Sequence, residues 1–140
     1  MSATTESLPE SQAVAPPSTS LRRATVTSGL AAAALTTAAA AAVHAVGVSF
    51  EIEGEMIPLL GFAQMTFVGA VIGGFVLAGL NRWNTSARRR FLQVTALLTV
   101  VSCVPSVGLP DDAASQTALV ALHLLAAAIV IPALARHARN

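Results

Sequence analysis

Four long stretches without a charged residue constrain this chain more than any other feature. They cover residues 24–48, 57–80, 91–107 and 117–135. A helix rises about 1.5 Å per residue, so stretches of this length can cross about 30 Å of hydrocarbon. Because a helix satisfies its own backbone hydrogen bonds in lipid, the pattern predicts an all-α integral membrane protein that folds as an antiparallel four-helix bundle.

Composition excludes several other classes of protein. Only 11% of the 140 residues are charged and 54% are hydrophobic, whereas a soluble domain has about 25% charged residues. A net charge of +1, with five Phe and one Trp as the aromatic residues, argues against nucleic acid as a partner. The single cysteine, Cys103, cannot form a disulfide within the chain.

The chain divides into two parts. Residues 1–20 are rich in Ser, Thr, Pro and Ala and are predicted to form a disordered cytoplasmic tail, while residues 21–140 form the four-transmembrane-helix domain. A rival interpretation makes the first stretch a cleaved signal sequence. Its 25 residues exceed the usual apolar region of about 7–15 residues, which favours a membrane span.

Charged residues alternate completely between the segments that flank the four stretches. All the arginines lie before the first stretch, between the second and third, and after the fourth: Arg22, Arg23, Arg82, Arg88, Arg89, Arg90, Arg136 and Arg139. In the two remaining loops every charged residue is acidic: Glu51, Glu53, Glu55, Asp111 and Asp112. Since short arginine-rich loops stay in the cytoplasm, we expect a multi-pass protein of the plasma (inner) membrane with both termini cytoplasmic.

One polar or sulfur-bearing side chain from each stretch falls at a similar depth below the acidic side. These four residues, here called the polar layer, are His44, Gln64, Cys103 and His123. They predict either a hydrogen-bonded cluster that fixes helix pairing or a haem, copper or quinone site that uses His44 and His123. No paired histidine spacing supports a metal site, so packing is favoured, no cofactor is predicted, and cofactor binding is the alternative.

The second stretch carries small residues suited to close helix packing: Gly69, Gly73, Gly74 and Ala78. Gln64 precedes Gly69 by five positions, which places the two about 140° apart around a helix. We therefore expect two contact faces on this helix. Either one serves the bundle and the other a neighbouring protein or a second copy, or both serve the bundle itself.

Catalytic signals are missing from the sequence. No charged residue lies inside a stretch, and there is no phosphate-binding loop, nucleophile elbow or HExxH motif. The third stretch has a hydroxyl stripe of Thr95, Thr99, Ser102 and Ser106, which predicts helix packing more strongly than a pore. The expected function is helix-mediated association in the bilayer, as a homo-oligomer or as an accessory subunit of a larger complex, and no enzyme is predicted.

Two segments resemble a known family. Residues 54–64 lead into the glycine-rich second stretch, and Leu122-His123-Leu124 precedes residues 131–136. Over residues 22–136 the chain resembles a family of small four-helix membrane proteins of actinobacteria that is known as a domain of unknown function. The resemblance implies a four-helix membrane fold and brings no activity, cofactor or catalytic residue with it.

Overall fold

Apolar stretches form four long helices in the computed structural model, which describes residues 19–139. They are α1 (Thr19–Ala45), α2 (Leu59–Trp83), α3 (Ala87–Gly108) and α4 (Ala113–Ala135). Each is long and apolar enough to cross a membrane. The predicted all-α membrane fold is confirmed, and the helices pack as in a helical bundle. The predicted tail lies outside the described residues except for its last two, which belong to α1.

The helices do not begin and end where the charge-free stretches do. Helix α3 starts before three arginines, because arginine is a good helix former and needs no burial. Helix α4 starts four residues earlier than the fourth stretch, since Asp112 caps it there. Helix α1 stops at Ala45, just before Gly47, whose φ of +105° ends the helical path.

Sequential helices run in opposite directions. The start of α1 lies beside the end of α2, where Thr25 packs against Gly74, and further along α1 the hydroxyls of Thr36 and Thr66 lie 3.1 Å apart. The start of α3 meets the chain that follows α4, because the Arg88 amide donates to a carbonyl there. Helix α3 packs mainly against α4 and less against α2.

The core has two apolar clusters, one towards each end of the bundle. The cluster at the end that carries the arginines contains the fully buried Phe91 and is formed by Leu21, Ala32, Ala70, Leu77, Phe91, Val130, Leu134 and Ala135. The cluster at the end that carries the acidic residues is formed by Ala40, Phe50, Leu119 and Leu122. The second cluster includes a loop residue, so the loop between α1 and α2 is part of the packed structure.

That loop contains a short hairpin. Strand β1 (Glu51–Ile52) pairs antiparallel with β2 (Glu55–Met56), with Glu51 opposite Met56. The two turn residues, Glu53 and Gly54, have φ values of +54° and +81°. Positive φ at both central residues is typical of a type I′ turn, which matches the natural twist of the strands.

Small residues allow α1 and α2 to approach closely. Gly29 lies where an added Cβ would be 3.0 Å from the Ala70 Cβ, and a Cβ on Gly74 would come within 2.5 Å of the Thr25 Oγ1. These four residues, Thr25, Gly29, Ala70 and Gly74, are here called the α1–α2 seam. The seam leaves no room for a larger side chain at either glycine.

We expect Gly74→Ala to lower the free energy of unfolding by about 1–3 kcal/mol, the usual range for overpacking a close contact. The matched control is Gly69→Ala, because a Cβ at Gly69 would meet nothing within 4 Å. The control should leave stability unchanged or raise it by up to about 1 kcal/mol through helix propensity. Unfolding of the purified protein in detergent micelles measures both variants, and an equal loss of stability in the two would contradict the seam.

Candidate functional site

The alternating direction of the helices collects charges of opposite sign at opposite ends of the bundle. The start of α1, the turn between α2 and α3, and the segment after α4 meet at one end, here called the arginine end. The hairpin loop and the α3–α4 connection meet at the other, here called the acidic end. The four helices, which have the length and composition of a multi-pass membrane protein, separate the two ends.

Asp112 organises the acidic end. One of its carboxylate oxygens accepts from the Ser115 amide at 2.8 Å, and the other accepts from the Ser115 hydroxyl at 2.6 Å. Asp112 is thus the N-cap of α4. The Ser49 hydroxyl donates to the same carboxylate at 3.3 Å and joins the α1–α2 loop to this cap.

These hydrogen bonds hold the pKa of Asp112 below its ordinary value. The largest cause is the hydrogen bond from the Ser115 hydroxyl, followed by the one from the Ser115 amide. A donor that bonds to the charged carboxylate stabilises the ionised form. Asp112 therefore stays ionised at lower pH than an isolated aspartate would.

Asp111 holds the hairpin turn. Its carboxylate accepts from the amide of Glu53 at 3.3 Å and from that of Gly54 at 3.1 Å, while its own amide donates to the Glu51 carbonyl at 3.1 Å. The two neighbouring aspartates thus serve different segments. Asp112 caps a helix, whereas Asp111 binds the loop from across the bundle.

Phe50 lies beneath this polar network. Its amide donates to the Ser115 hydroxyl at 3.0 Å, and its ring is 1% exposed. The ring meets Phe62 edge-on, with a centroid separation of 5.2 Å. Ser115 is fully buried, donates to Asp112 and accepts from Phe50, so it joins the loop to α4. The sequence pattern did not single out Phe50 or Ser115. The signal that could have pointed to Phe50 is its position as an apolar residue directly before the acidic residues of the loop.

The polar layer is spread over several environments. His44 is exposed, and its Nδ1 donates to the Val48 carbonyl at 2.8 Å. His123 is half-buried, with its Nδ1 3.0 Å from the Leu119 carbonyl oxygen and 3.4 Å from the Ser106 hydroxyl. The two histidines therefore lie in different surroundings, His123 between α3 and α4 and His44 at the exposed end of α1.

The other two members of the layer lie on different helices. Gln64 is exposed on α2, and Cys103 is half-buried on α3. Within residues 19–139, no hydrogen bond joins any two of the four polar-layer residues. The same residues contain no group of three His, Cys, Asp or Glu side chains arranged to hold a metal ion. The alternative prediction, a haem, copper or quinone site of a redox protein that uses His44 and His123, gains no support from this geometry.

Hydroxyl groups between the helices bond mostly to their own backbone. Thr95, Thr99 and Ser102 donate to carbonyls three or four residues earlier in α3. Such bonds satisfy the hydroxyl without opening a polar path through the helix. Ser106 is buried and faces α4, where it meets His123. Ser106 is thus the stripe residue whose hydroxyl meets a neighbouring helix, while the other three hydroxyls bond within α3.

The predicted packing residues of α2 divide between two sides of the helix. Gly74 faces α1, and a Cβ on Gly73 would lie 3.3 Å from the Leu134 side chain of α4. Ala78 packs against the core cluster at the arginine end. Gly69 is exposed and faces open space. Ala70, which the sequence pattern did not single out, takes part in the seam instead.

At the arginine end, Asn81 binds the chain that follows α4. Its side-chain amide donates to the His137 carbonyl at 3.0 Å, and its carbonyl oxygen accepts from the Arg139 amide at 2.9 Å. The Arg88 amide donates to the Arg139 carbonyl at 3.0 Å. These contacts bring residues 136–139 beside the α2–α3 turn, so the arginines of these two segments lie at neighbouring positions.

One family model accounts for nearly the whole chain. The model of the Family of unknown function (DUF6069) matches residues 16–140. The chain belongs to this family. The predicted resemblance to a domain of unknown function is therefore confirmed, and DUF6069 supplies no activity to transfer. No curated protein and no solved structure matches the chain.

We expect the stability of the protein to depend on the ionisation of Asp112. A carboxylate whose pKa is lowered by folding contributes stability above its unfolded pKa, and this contribution is lost as the pH falls through the folded value. Thermal unfolding between about pH 6 and about pH 3 should therefore show a fall in melting temperature below about pH 4. Asp112→Asn should be less stable at neutral pH and should show a smaller fall.

The control for this experiment is Glu55→Gln, which removes an exposed carboxylate from the same end. Within the described residues the Glu55 side chain makes no hydrogen bond. Its removal should preserve the fall in melting temperature. If Asp112→Asn showed the same pH profile as the natural chain, the Asp112 cap would not be the source of the dependence.

Proposed function

We propose that this protein is a multi-pass protein of the plasma (inner) membrane with both termini in the cytoplasm. The supporting observation is the separation of the arginines from the acidic residues at the two ends of the bundle. Short arginine-rich segments are retained on the cytoplasmic side during insertion. An actinobacterial source, which the resemblance implies, is part of the same proposal.

This orientation predicts which exposed loop reacts from outside the cell. In a Cys103→Ala background, a membrane-impermeant maleimide should label Glu53→Cys and spare Thr85→Cys. Both positions are exposed, so the side of the membrane rather than burial decides the reaction. Permeabilised cells provide the control, because both variants should then react. Labelling of Thr85→Cys alone in intact cells would show the opposite orientation.

We further propose that the protein acts by helix-mediated association, as a homo-oligomer or as an accessory subunit of a membrane complex. The observation that carries this proposal is Gln64, a primary amide exposed on the side of α2. Gln64 lies five residues into the helix, about 7–8 Å along its axis. A polar group that faces hydrocarbon is unfavourable unless a partner hydrogen-bonds to it.

The arrangement of α2 favours a partner on that side. The seam residues Ala70 and Gly74 are used within the bundle, and Gln64 is left outside it with exposed apolar neighbours such as Met65 and Val68. An amide donates and accepts at once, so a glutamine can pair with another glutamine or with other polar groups in a helix partner. The proposal involves no catalytic step and no resident cofactor.

Association is tested with two differently tagged copies expressed in the same membrane. If the protein is a homo-oligomer, the tagged copies should co-purify, and Gln64→Leu should weaken their association by about five- to thirtyfold, since a hydrogen bond between membrane helices contributes about 1–2 kcal/mol. Met65→Leu is the matched control, because it changes an exposed neighbour without removing a polar group. The control should co-purify as the natural chain does.

The two forms of the proposal give different results. A homo-oligomer requires the tagged natural chains to co-purify with each other. An accessory subunit would instead co-purify with a different membrane protein, and Gln64→Leu should weaken that contact. A natural chain that stays monomeric and binds no other membrane protein would contradict association altogether.

A further inference from the structure

The arginine end carries positive charge that the rest of the described chain does not neutralise. All eight arginines lie at this end, and within residues 19–139 every Asp and Glu lies at the other. Across those residues no guanidinium forms an ion pair with a carboxylate, since the length of the helices separates them. Among the contacts within residues 19–139, the Arg139 guanidinium donates to the Asn81 carbonyl. The positive surface is therefore available to an external anion.

Part of this surface is concave. A shallow depression at the start of α3 is lined by Ser86, Arg88, Arg89, Leu92 and Gln93. The two arginines and Gln93 are exposed, so their donors point away from the core. Ser86 precedes the helix but makes no side-chain cap hydrogen bond to it. The depression thus brings two fixed positive charges together with uncharged donors.

The donors of the depression fit a phosphate group. A guanidinium binds phosphate oxygens with two parallel N–H donors, and it stays charged at every physiological pH. The Gln93 amide and the Ser86 hydroxyl add neutral donors on either side. An anion that carries several acceptor oxygens would bind to several of these groups at once.

The position of the depression indicates where the phosphate comes from. Arg89 and Leu92 are three residues apart, so the apolar side chain lies one helical turn further into the membrane-spanning part of α3. Leu92 is 37% exposed, and Trp83, at the end of α2, is 78% exposed. Tryptophan at a helix end is typical of the lipid headgroup region. A ligand with a phosphate and an attached apolar chain would place its phosphate beside the arginines and its chain beside Leu92.

We propose that the depression at the start of α3 binds the phosphate of an anionic phospholipid, with Arg88 and Arg89 as its main contacts. The bilayer leaflet next to the arginine end supplies this ligand. Anionic lipids attract basic residues close to the membrane surface, and the attraction falls off within a Debye length. Binding here would fix the depth of α3 and would add a lipid partner to the association proposed above, on which it does not depend.

The test uses the full chain, purified in a neutral detergent. Phosphatidylglycerol, phosphatidylcholine and inorganic phosphate are titrated separately while thermal unfolding is followed. Phosphatidylglycerol should raise the melting temperature in a saturable way. Phosphatidylcholine carries no net charge and should have little effect. Inorganic phosphate at equal concentration should also have little effect, because it lacks the apolar chain that would contact Leu92.

Two double variants distinguish binding at the depression from diffuse attraction of the lipid to all the arginines. Arg88→Gln with Arg89→Gln should weaken the apparent affinity for phosphatidylglycerol by about tenfold or more, since each basic residue near an anionic surface strengthens binding several-fold. Arg22→Gln with Arg23→Gln removes the same charge from exposed positions at the same end and is the matched control. The control should weaken the affinity by less than about threefold.

Each other outcome would overturn the proposal. An equal loss of affinity in the two double variants would show diffuse attraction to the whole end. An equal response to phosphatidylcholine would show that charge is not recognised, and an equal response to inorganic phosphate would show a site for the free ion. Melting temperatures in detergent without lipid confirm that both variants fold before their affinities are compared.

Discussion

The close approach of α1 and α2 is the contact on which the rest of the bundle depends. Lipid is as apolar as the helix surfaces, so helices in a membrane associate through close packing and hydrogen bonds rather than through removal of water. The α1–α2 contact provides both: at the seam, Gly29 and Gly74 let the backbones approach, and further along the two helices the hydroxyls of Thr36 and Thr66 lie 3.1 Å apart. Helix α4 packs on this pair, and α3 packs mainly on α4.

The two ends of the molecule are stabilised in different ways. At the acidic end, two carboxylates accept hydrogen bonds within the fold, since Asp112 caps α4 and Asp111 binds the hairpin turn. At the arginine end, an uncharged side chain joins two segments, because Asn81 forms hydrogen bonds with the backbone of residues 137 and 139. The guanidinium groups are largely left to face the surroundings. Asp111 and Asp112 thus stabilise the fold, whereas the arginine side chains of residues 19–139 are all exposed.

Several features could be predicted from the sequence because they depend on the hydropathy and charge of short segments. The number of membrane helices and the charge at each end need only hydropathy and residue order. The α3 hydroxyls could also be anticipated, since a threonine such as Thr95 bonds to a carbonyl of the preceding turn in any helix. The ends of the helices were predicted less accurately. Asp112 starts α4 earlier than hydropathy indicates, because a cap is a hydrogen-bonding feature.

The tertiary structure alone decided which residues meet across the chain. Phe50 and Ser115 are 65 positions apart, and their contact depends on how the hairpin loop folds over α4. It also decided that Ala70 and Gly74 face α1 while Gly69 and Gln64 face outward, and that His44 and His123 bond to carbonyls of their own segments. The physical reason is helix rotation. A helix that is apolar on every side encodes its length and its ends, but only contacts with its neighbours select the side that is buried.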